Sequence, residues 1–471
     1  MTVTTTGPLP NAPYDVAVIG AGVVGTAVAR ELARHRALRI ALVEAAHDVG
    51  EGTSKANTAI LHTGFDAVPG SLESRLMADG SHRLARYAAE TGIPVERVGA
   101  LLVAWNEEQR AALPELAAKA GRNGRHDTRL LTPGELYTRE PHLAPGALGA
   151  LEVPGESIVC PWSTTLAYAT QAVLAGTDLH LGCRVTGIRE RAGHHELRCA
   201  RGVLRARYLV NAAGLAADTV DGMLGHHDFT VTPRRGQLIV FDTLAGDLVR
   251  HILLPVPTAL GKGVLVAPTV YGNVLLGPTA EDLDDKRATE STADGLAALR
   301  AKGRGILPAL LDEEVTAVYA GLRAATGHED YRIRAHPAQR SVTVGGIRST
   351  GLTASMGIAA HVTGLLADTG LVLGEPRDLP PLRMPPLGRR AVRPCRQAAL
   401  VAADPEYGTV VCHCELVSRA EIRDALAAPL PPHSVAGLRR RTRAGAGRCQ
   451  GAYCGAAVTD LFERSDAGER V

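Results

Sequence analysis

Aromatic side chains are scarce in this chain: four Phe, two Trp and ten Tyr make up 3% of 471 residues. Leucine, valine and alanine must therefore fill the core, and a 45% hydrophobic content supplies them. No uninterrupted apolar run reaches the roughly 18 residues that read as a membrane span, so no transmembrane segment is expected. The formal net charge is only +2, short of the dense basic face that nucleic-acid binding requires, and nucleic acid is not expected as a partner. Residues 1–13 are a Thr/Pro-containing stretch lacking the basic and apolar regions of a secretory leader. They read as a flexible tail, and the chain as cytoplasmic. There is no internal repeat.

Cysteine is present in an uneven pattern. Cys160, Cys183, Cys199 and Cys395 are scattered, whereas Cys412-His413-Cys414 and, after a gap of 34 residues, Cys449 and Cys454 form two tight pairs. Four thiolates complete the ligand set of one metal centre. A C-x-C pair is tight for structural zinc, whose cysteines are usually two to four residues apart. Four cysteines with uneven spacing, including a four-residue gap, suit a [2Fe–2S] cluster. Disulfides fit badly in a chain without a secretory leader. Iron–sulfur is thus the expected occupant of Cys412, Cys414, Cys449 and Cys454, with zinc as the alternative. The surroundings agree: Ser418-Arg419-Ala420-Glu421 has capping-box spacing and should start a helix running to Leu426. Gly445, Gly447, Gly451 and Gly455 would let backbone N–H groups approach the sulfurs. Arg439, Arg440, Arg441, Arg443 and Arg448 read as a solvated basic helix face.

Near the other end, residues 15–19 read as a buried strand, followed by Gly20-Ala21-Gly22-Val23-Val24-Gly25, a helical stretch over Thr26–His35, and a second strand, Arg39–Val43, ending at Glu44. Strand, G-x-G-x-x-G, helix, strand and acid together are the dinucleotide-binding context. The first glycine makes the turn, the second admits the pyrophosphate, and the third lets helix pack on strand. Glu44 should meet a ribose hydroxyl. No second such fingerprint occurs. A flavin can release electrons singly to a cluster whereas a nicotinamide transfers hydride, so FAD is the better match than NAD.

Val49–Phe65, with Pro69-Gly70-Ser71-Leu72, resembles the D-amino-acid-oxidase-like FAD superfamily, and within it the L-2-hydroxyglutarate oxidases and the large subunit of anaerobic glycerol-3-phosphate dehydrogenase. Tyr208–Asp218 resembles the strand and turn that meet FAD in this family. Gly346–Ala354 resembles its last FAD-binding turn. Arg443–Cys454 with the C-x-C pair is similar to the bacterioferritin-associated-ferredoxin type of [2Fe–2S] domain. The resemblance covers nearly the whole chain.

It implies an α/β fold: a Rossmann-like FAD-binding domain (residues 14–90, 156–230 and 340–373) interleaved with an α+β, β-sheet substrate domain (91–155 and 231–339). Strand-like Ala100–Ala104 and a long helix over Thr289–Ile306 belong to the latter. A stiff proline-rich linker (374–405) then leads to the cluster domain (406–471). The resemblance also implies FAD contacts from Gly20, Gly22, Val23, Val24, Gly25, Glu44, Thr53, Ser54, Asn57, His62, Val185, Ala213, Gly214, Gly321, Gly351, Leu352 and Thr353. Gly351-Leu352-Thr353 precede a helix, Ala354–Leu366, whose N-terminal amides should face the flavin.

His62 is the candidate base, with a purely structural hydrogen bond as the competing role, and His251 and His328 stand behind it. Arg323 and Arg348 are candidate forks for a carboxylate or phosphate. The expected reaction is oxidation of a small anionic alcohol. Glycerol 3-phosphate comes first and L-2-hydroxyglutarate or another 2-hydroxy acid second. Amine oxidation of an amino acid or opine, or an electron-transfer subunit without turnover, are further readings. Electrons would leave through the cluster to a redox partner protein or subunit.

Overall fold

The computed structural model describes residues 3–4, 8–257 and 263–466. The strand Tyr14–Ile19 lies in the middle of a nine-stranded sheet. On one side it pairs in parallel with Ile40–Val43, Val16 opposite Ile40, and on the other with Gly202–Asn211, Tyr208 opposite Val16. The central strands are buried on both faces, as a parallel sheet covered by helices requires. Two edges extend the sequence reading. Val3–Thr4 pairs in parallel with Asp178–His180, so part of the expected tail is sheet, while residues 1–2 and 5–7 lie outside the described residues. Arg332–His336 pairs with Ser341–Gly345, which moves the return to this sheet ahead of the expected residue 340.

Helix Val23–Leu32 starts three residues earlier than the sequence reading, directly at the glycine turn. The closing helix, Gly351–Asp368, likewise begins at Gly351 rather than Ala354. It packs between Val23–Leu32 and Leu72–Thr91. Two glycines make that closeness possible: a Cβ at Gly80 would lie 2.4 Å from the Thr353 carbonyl oxygen, and one at Gly357 2.4 Å from that of Leu76.

A second nine-stranded sheet is built from the segments expected to form the substrate domain. Ala100–Ala104 forms as expected. Thr232–Phe241 and Val315–Ala325 pair antiparallel along their length, with Gly236 opposite Gly321. The expected long helix is shorter, Ala293–Arg304, because the Thr292 side chain caps it at Gly295 N. A separate small three-stranded sheet consists of Ile60–Leu61, Ser157–Val159 and Val95–Arg97. Leucines and alanines dominate the core, as the poverty in aromatics requires; Tyr14, Tyr168 and Phe241 are the aromatic members of its largest fully buried side chains.

The proline-rich segment is pinned to the body. Pro380 O accepts from Gln171, Met384 N donates to Thr91 O, and Arg389 and Arg390 both bind Glu96. The cluster module gathers Pro394–Arg396, the helix Ala398–Ala403, the hairpin Val410–Cys412 with Val417–Ser418, and helices Arg419–Leu426, Val435–Thr442 and Gly455–Asp466. Residues 394–403, within the expected linker, pack against these C-terminal elements. The capping box at Ser418 and Glu421 is present in both directions.

Candidate active site and cluster centre

A cavity of about 260 Å³ opens where the glycine turn, the 53–57 loop, the closing helix and the substrate sheet meet. Gly22, Val23, Val24, Thr53, Ser54, Asn57, His62, Gly214, Gly321, Arg323, Arg348, Gly351 and Leu352 all line it. Gly20 has φ 103°, and a Cβ there would lie 2.5 Å from Ala212 O; one at Gly25 would lie 1.8 Å from Gly20 O. The first glycine thus makes the turn and the third the close packing. Neither Gly22 nor Thr350, the residues preceding the two helices at the cavity, caps its helix with a side chain. Two helix N-termini therefore offer backbone N–H groups here, a setting for a pyrophosphate and for the electron-rich end of a flavin. Ser54 Oγ takes the Val23 amide at 2.9 Å, tying the loop to the turn.

Besides Gly20 and Gly25, which shape the turn, four predicted contacts lie off the wall. Glu44 directly follows the strand Ile40–Val43. Its carboxylate accepts the amides of Ala21 (2.7 Å) and Ala46 (2.8 Å), and burial raises its carboxyl above the ordinary range against the lowering effect of those amides. Val185 begins the strand after Cys183, whose amide bonds Glu44 O at 2.7 Å. Ala213 sits between wall residues Ala212 and Gly214 without joining them. Thr353 is fully buried, and its hydroxyl accepts the His62 amide at 3.0 Å. It positions His62 from behind instead of lining the cavity.

Glu156 is the residue that sequence reasoning missed. His62 follows the strand Ile60–Leu61, and Glu156 precedes its antiparallel partner, with Leu61 opposite Ser157. That register brings His62 Nδ1 to 3.0 Å from Glu156 Oε2. The other oxygen, Oε1, accepts both the amide (2.6 Å) and the hydroxyl (2.8 Å) of Thr63, and the carboxylate is wholly buried. With Nδ1–H donated to the carboxylate, Nε2 is the acceptor nitrogen of the neutral ring. Only the strand-like flanks of His62 and Glu156 hinted at the pairing. His251 makes a similar pair with buried Glu140 (2.7 Å) but does not line the cavity, and His328 lies in an exposed bend.

The two arginines differ. Arg348 is salt-bridged to Glu73, which also accepts from Thr350 at 2.8 Å, so its charge is already matched. Arg323 reaches Thr279 O at 2.7 Å and, among the described residues, makes no salt bridge. Burial, with Arg234 nearby, pushes its guanidinium down to about 10, against the pull of Asp282. An anion entering the cavity would supply the missing countercharge.

In the C-terminal module the four cysteines meet two by two. Cys412 lies close enough to Cys454 to perturb its thiol, as Cys449 does to Cys414. Gly445 N donates to Cys412 Sγ at 3.4 Å, and a Cβ at Gly447 would lie 2.3 Å from that of Cys414. Among the described residues no three His, Cys, Asp or Glu side chains converge on a single-ion position. Paired thiols suit two irons, each taking two thiolates, better than one zinc. The arginines do not form a solvated face. Arg441 grips Asp48 with two bonds (2.7 and 2.9 Å), Arg440 binds Asp48 and Glu51, and Arg448 binds Asp242 at 2.8 Å. The module is thereby docked on both larger domains.

Comparison with known proteins agrees with this geometry. Residues 15–365 match the family described as FAD dependent oxidoreductase, and residues 410–464 the BFD-like [2Fe-2S] binding domain. The chain is 34% identical to glycerol 3-phosphate dehydrogenase of Caloramator mitchellensis, covering 96% of this chain and 94% of that one. It is 29% identical to an L-2-hydroxyglutarate dehydrogenase of Indibacter alkaliphilus, covering 57% and 68%. The structure of dithionite-reduced L-alpha-glycerophosphate oxidase from Mycoplasma pneumoniae with FAD bound superposes with a TM-score of 0.75, at 30% identity, over 79% of this chain and 99% of that one. The family match and the FAD-bound neighbour give FAD as the cofactor of the larger part of the chain, and the C-terminal module holds a [2Fe–2S] cluster.

Proposed function

Because the chain belongs to the FAD dependent oxidoreductase family and ends in a BFD-like [2Fe–2S] module, we propose that it dehydrogenates glycerol 3-phosphate at its secondary alcohol, passing electrons by way of the cluster to a one-electron partner protein. FAD, when bound, supplies the acceptor for the hydride of the C–H bond. The chain's own residues do the rest. His62 Nε2 takes the hydroxyl proton, with Glu156 holding Nδ1 and so the tautomer. Arg323 forks onto the phosphate. Arg348, bound to Glu73, holds the turn that enters the closing helix.

The observation that carries this reading is the unmatched guanidinium of Arg323 in the same cavity as the His62–Glu156 pair. A base and an anion anchor are what oxidation of a small anionic alcohol needs. A carboxylate would satisfy Arg323 as well, and the likeness to L-2-hydroxyglutarate dehydrogenases makes a 2-hydroxy acid the second reading. The test is anaerobic addition of each compound to the purified holoprotein while its visible spectrum is recorded. Bleaching by glycerol 3-phosphate supports the proposal. Bleaching by L-2-hydroxyglutarate alone transfers it to the second reading, and none with either refutes both.

A further inference from the structure

A second cavity of about 810 Å³ separates much of the cluster module from the flavin loop and the substrate sheet. Thr53, Ala56 and Asn57 line it as well as the FAD cavity, and Arg439, Arg440 and Arg443 line it from the module's side. An electron couples far better through packed atoms than across such a gap, so what spans it matters.

One column of side chains does. Trp162, one of only two tryptophans, donates its indole N–H to Lys55 O at 3.1 Å, in the 3-10 turn Thr53–Lys55 beside the flavin cavity. Its ring stacks on Tyr271, with centroids 5.5 Å apart and planes 23° apart. The Tyr271 hydroxyl is held by Cys160 Sγ at 2.7 Å. On the module's side the Arg443 guanidinium lies 3.9 Å from the Tyr271 ring centroid. Arg443 is 4% exposed and takes the left-handed backbone conformation (φ 69°) at the end of helix Val435–Thr442. Two bonds to Glu415, 2.6 and 2.9 Å, lock its head next to Cys414. Two residues on, Gly445 N bonds Cys412 Sγ. Contact is thus continuous from the flavin loop to a cluster ligand, in a protein otherwise poor in aromatic rings.

We infer that Trp162, Tyr271 and Arg443 are the bridge along which electrons pass from the flavin to the cluster. The inference rests on the proposed reading that flavin feeds cluster, but not on the substrate's identity. Oxidising an alcohol to a carbonyl releases two protons and two electrons. The electrons cross one at a time, each turning one ferric iron ferrous, and the external one-electron acceptor reoxidises the cluster between crossings.

The test reduces the flavin of the full-length holoprotein by light, anaerobically and without substrate, and follows the cluster's reduction by absorbance and electron paramagnetic resonance. Trp162→Leu should slow that transfer about tenfold or more, since void replaces packed ring atoms, with FAD content, iron content and both midpoint potentials unchanged. Trp162→Phe, which keeps a ring in the stack, should retain most of the wild-type rate. A wild-type rate in Trp162→Leu, or Trp162→Phe as slow as Trp162→Leu, would overturn the bridge. So would a wild-type cluster that stays oxidised beside a photoreduced flavin. A protein that transfers under light but ignores glycerol 3-phosphate would refute the substrate and leave the bridge standing.

Discussion

His62 and Glu156, 94 residues apart, are joined by a 3.0 Å hydrogen bond from the imidazole Nδ1 to a carboxylate with no solvent exposure. A carboxylate that receives Nδ1–H leaves Nε2 as the acceptor, which is the form a base needs. Glu156→Gln can present its amide N–H to Nδ1 and favour the tautomer with the proton on Nε2. By analogy with the carboxylate of a Ser-His-Asp triad, substrate-driven flavin reduction should fall by about 10²-fold or more with FAD content unchanged. Stopped-flow bleaching measures it; a change under threefold would assign Glu156 to structure alone.

Arg323 and Arg348 should separate in their effects. Arg323→Ala removes a charge-assisted contact worth about 1.5–3 kcal/mol, raising KM roughly 10- to 150-fold. Arg348→Met instead strands the Glu73 carboxylate, lowering stability by about 1–3 kcal/mol with little change in KM. Steady-state kinetics beside denaturant melts would show the split, and equal KM effects would contradict it.

Asp48 and Arg441, at 3% and 5% side-chain exposure, form the clasp between module and body. Arg441→Met leaves the buried Asp48 carboxylate with Arg440 as its remaining cation, at a cost below the roughly 3–5 kcal/mol of a fully unpaired buried charge. The expected result is early protease release of the C-terminal module with FAD retained. Release no faster than in wild type would show that the clasp contributes little.

The same clasp has an acid limit. Burial raises the Asp48 carboxyl, but Arg441 and Arg440 outweigh it and hold it below its ordinary 3.8. A depressed carboxyl contributes stability above its unfolded value and loses that contribution as pH falls through the lower folded value. Module protection should therefore persist at pH 5 and fail only below 3.8, whereas Asp48→Asn, which has no carboxylate to lose, should be less protected throughout that range. Proteolysis of the holoprotein across that range reads it out, with loss already at pH 5 as the contrary result.

Cys449→Ser should abolish the cluster signal and leave the flavin spectrum intact, because the cysteine pairs and the flavin cavity share no residue. Gly22→Val should do the reverse, filling the cavity wall beside Ser54 Oγ. Iron and flavin assays on both variants test the separation; coupled loss in either would deny it.

Contiguous chemistry was legible in the amino-acid order. The glycine turn, the capping box at Ser418 and Glu421 and the paired cysteines each carry their meaning within a few residues, because a turn, a helix start or a chelate is a local constraint. So FAD, the cluster and the α/β plan followed from order alone, together with His62 and Arg323 as candidates. What tertiary structure decided lies between distant segments. The register of Leu61 against Ser157 set Glu156 behind His62. Glu73 took up the charge of Arg348, and residues 393 positions apart made the clasp of Asp48 with Arg441, turning an apparently solvated basic helix into a docking face. Charged side chains look alike in a sequence whether they meet water or a buried partner, and only the packing of sheets and helices determines which partner arrives.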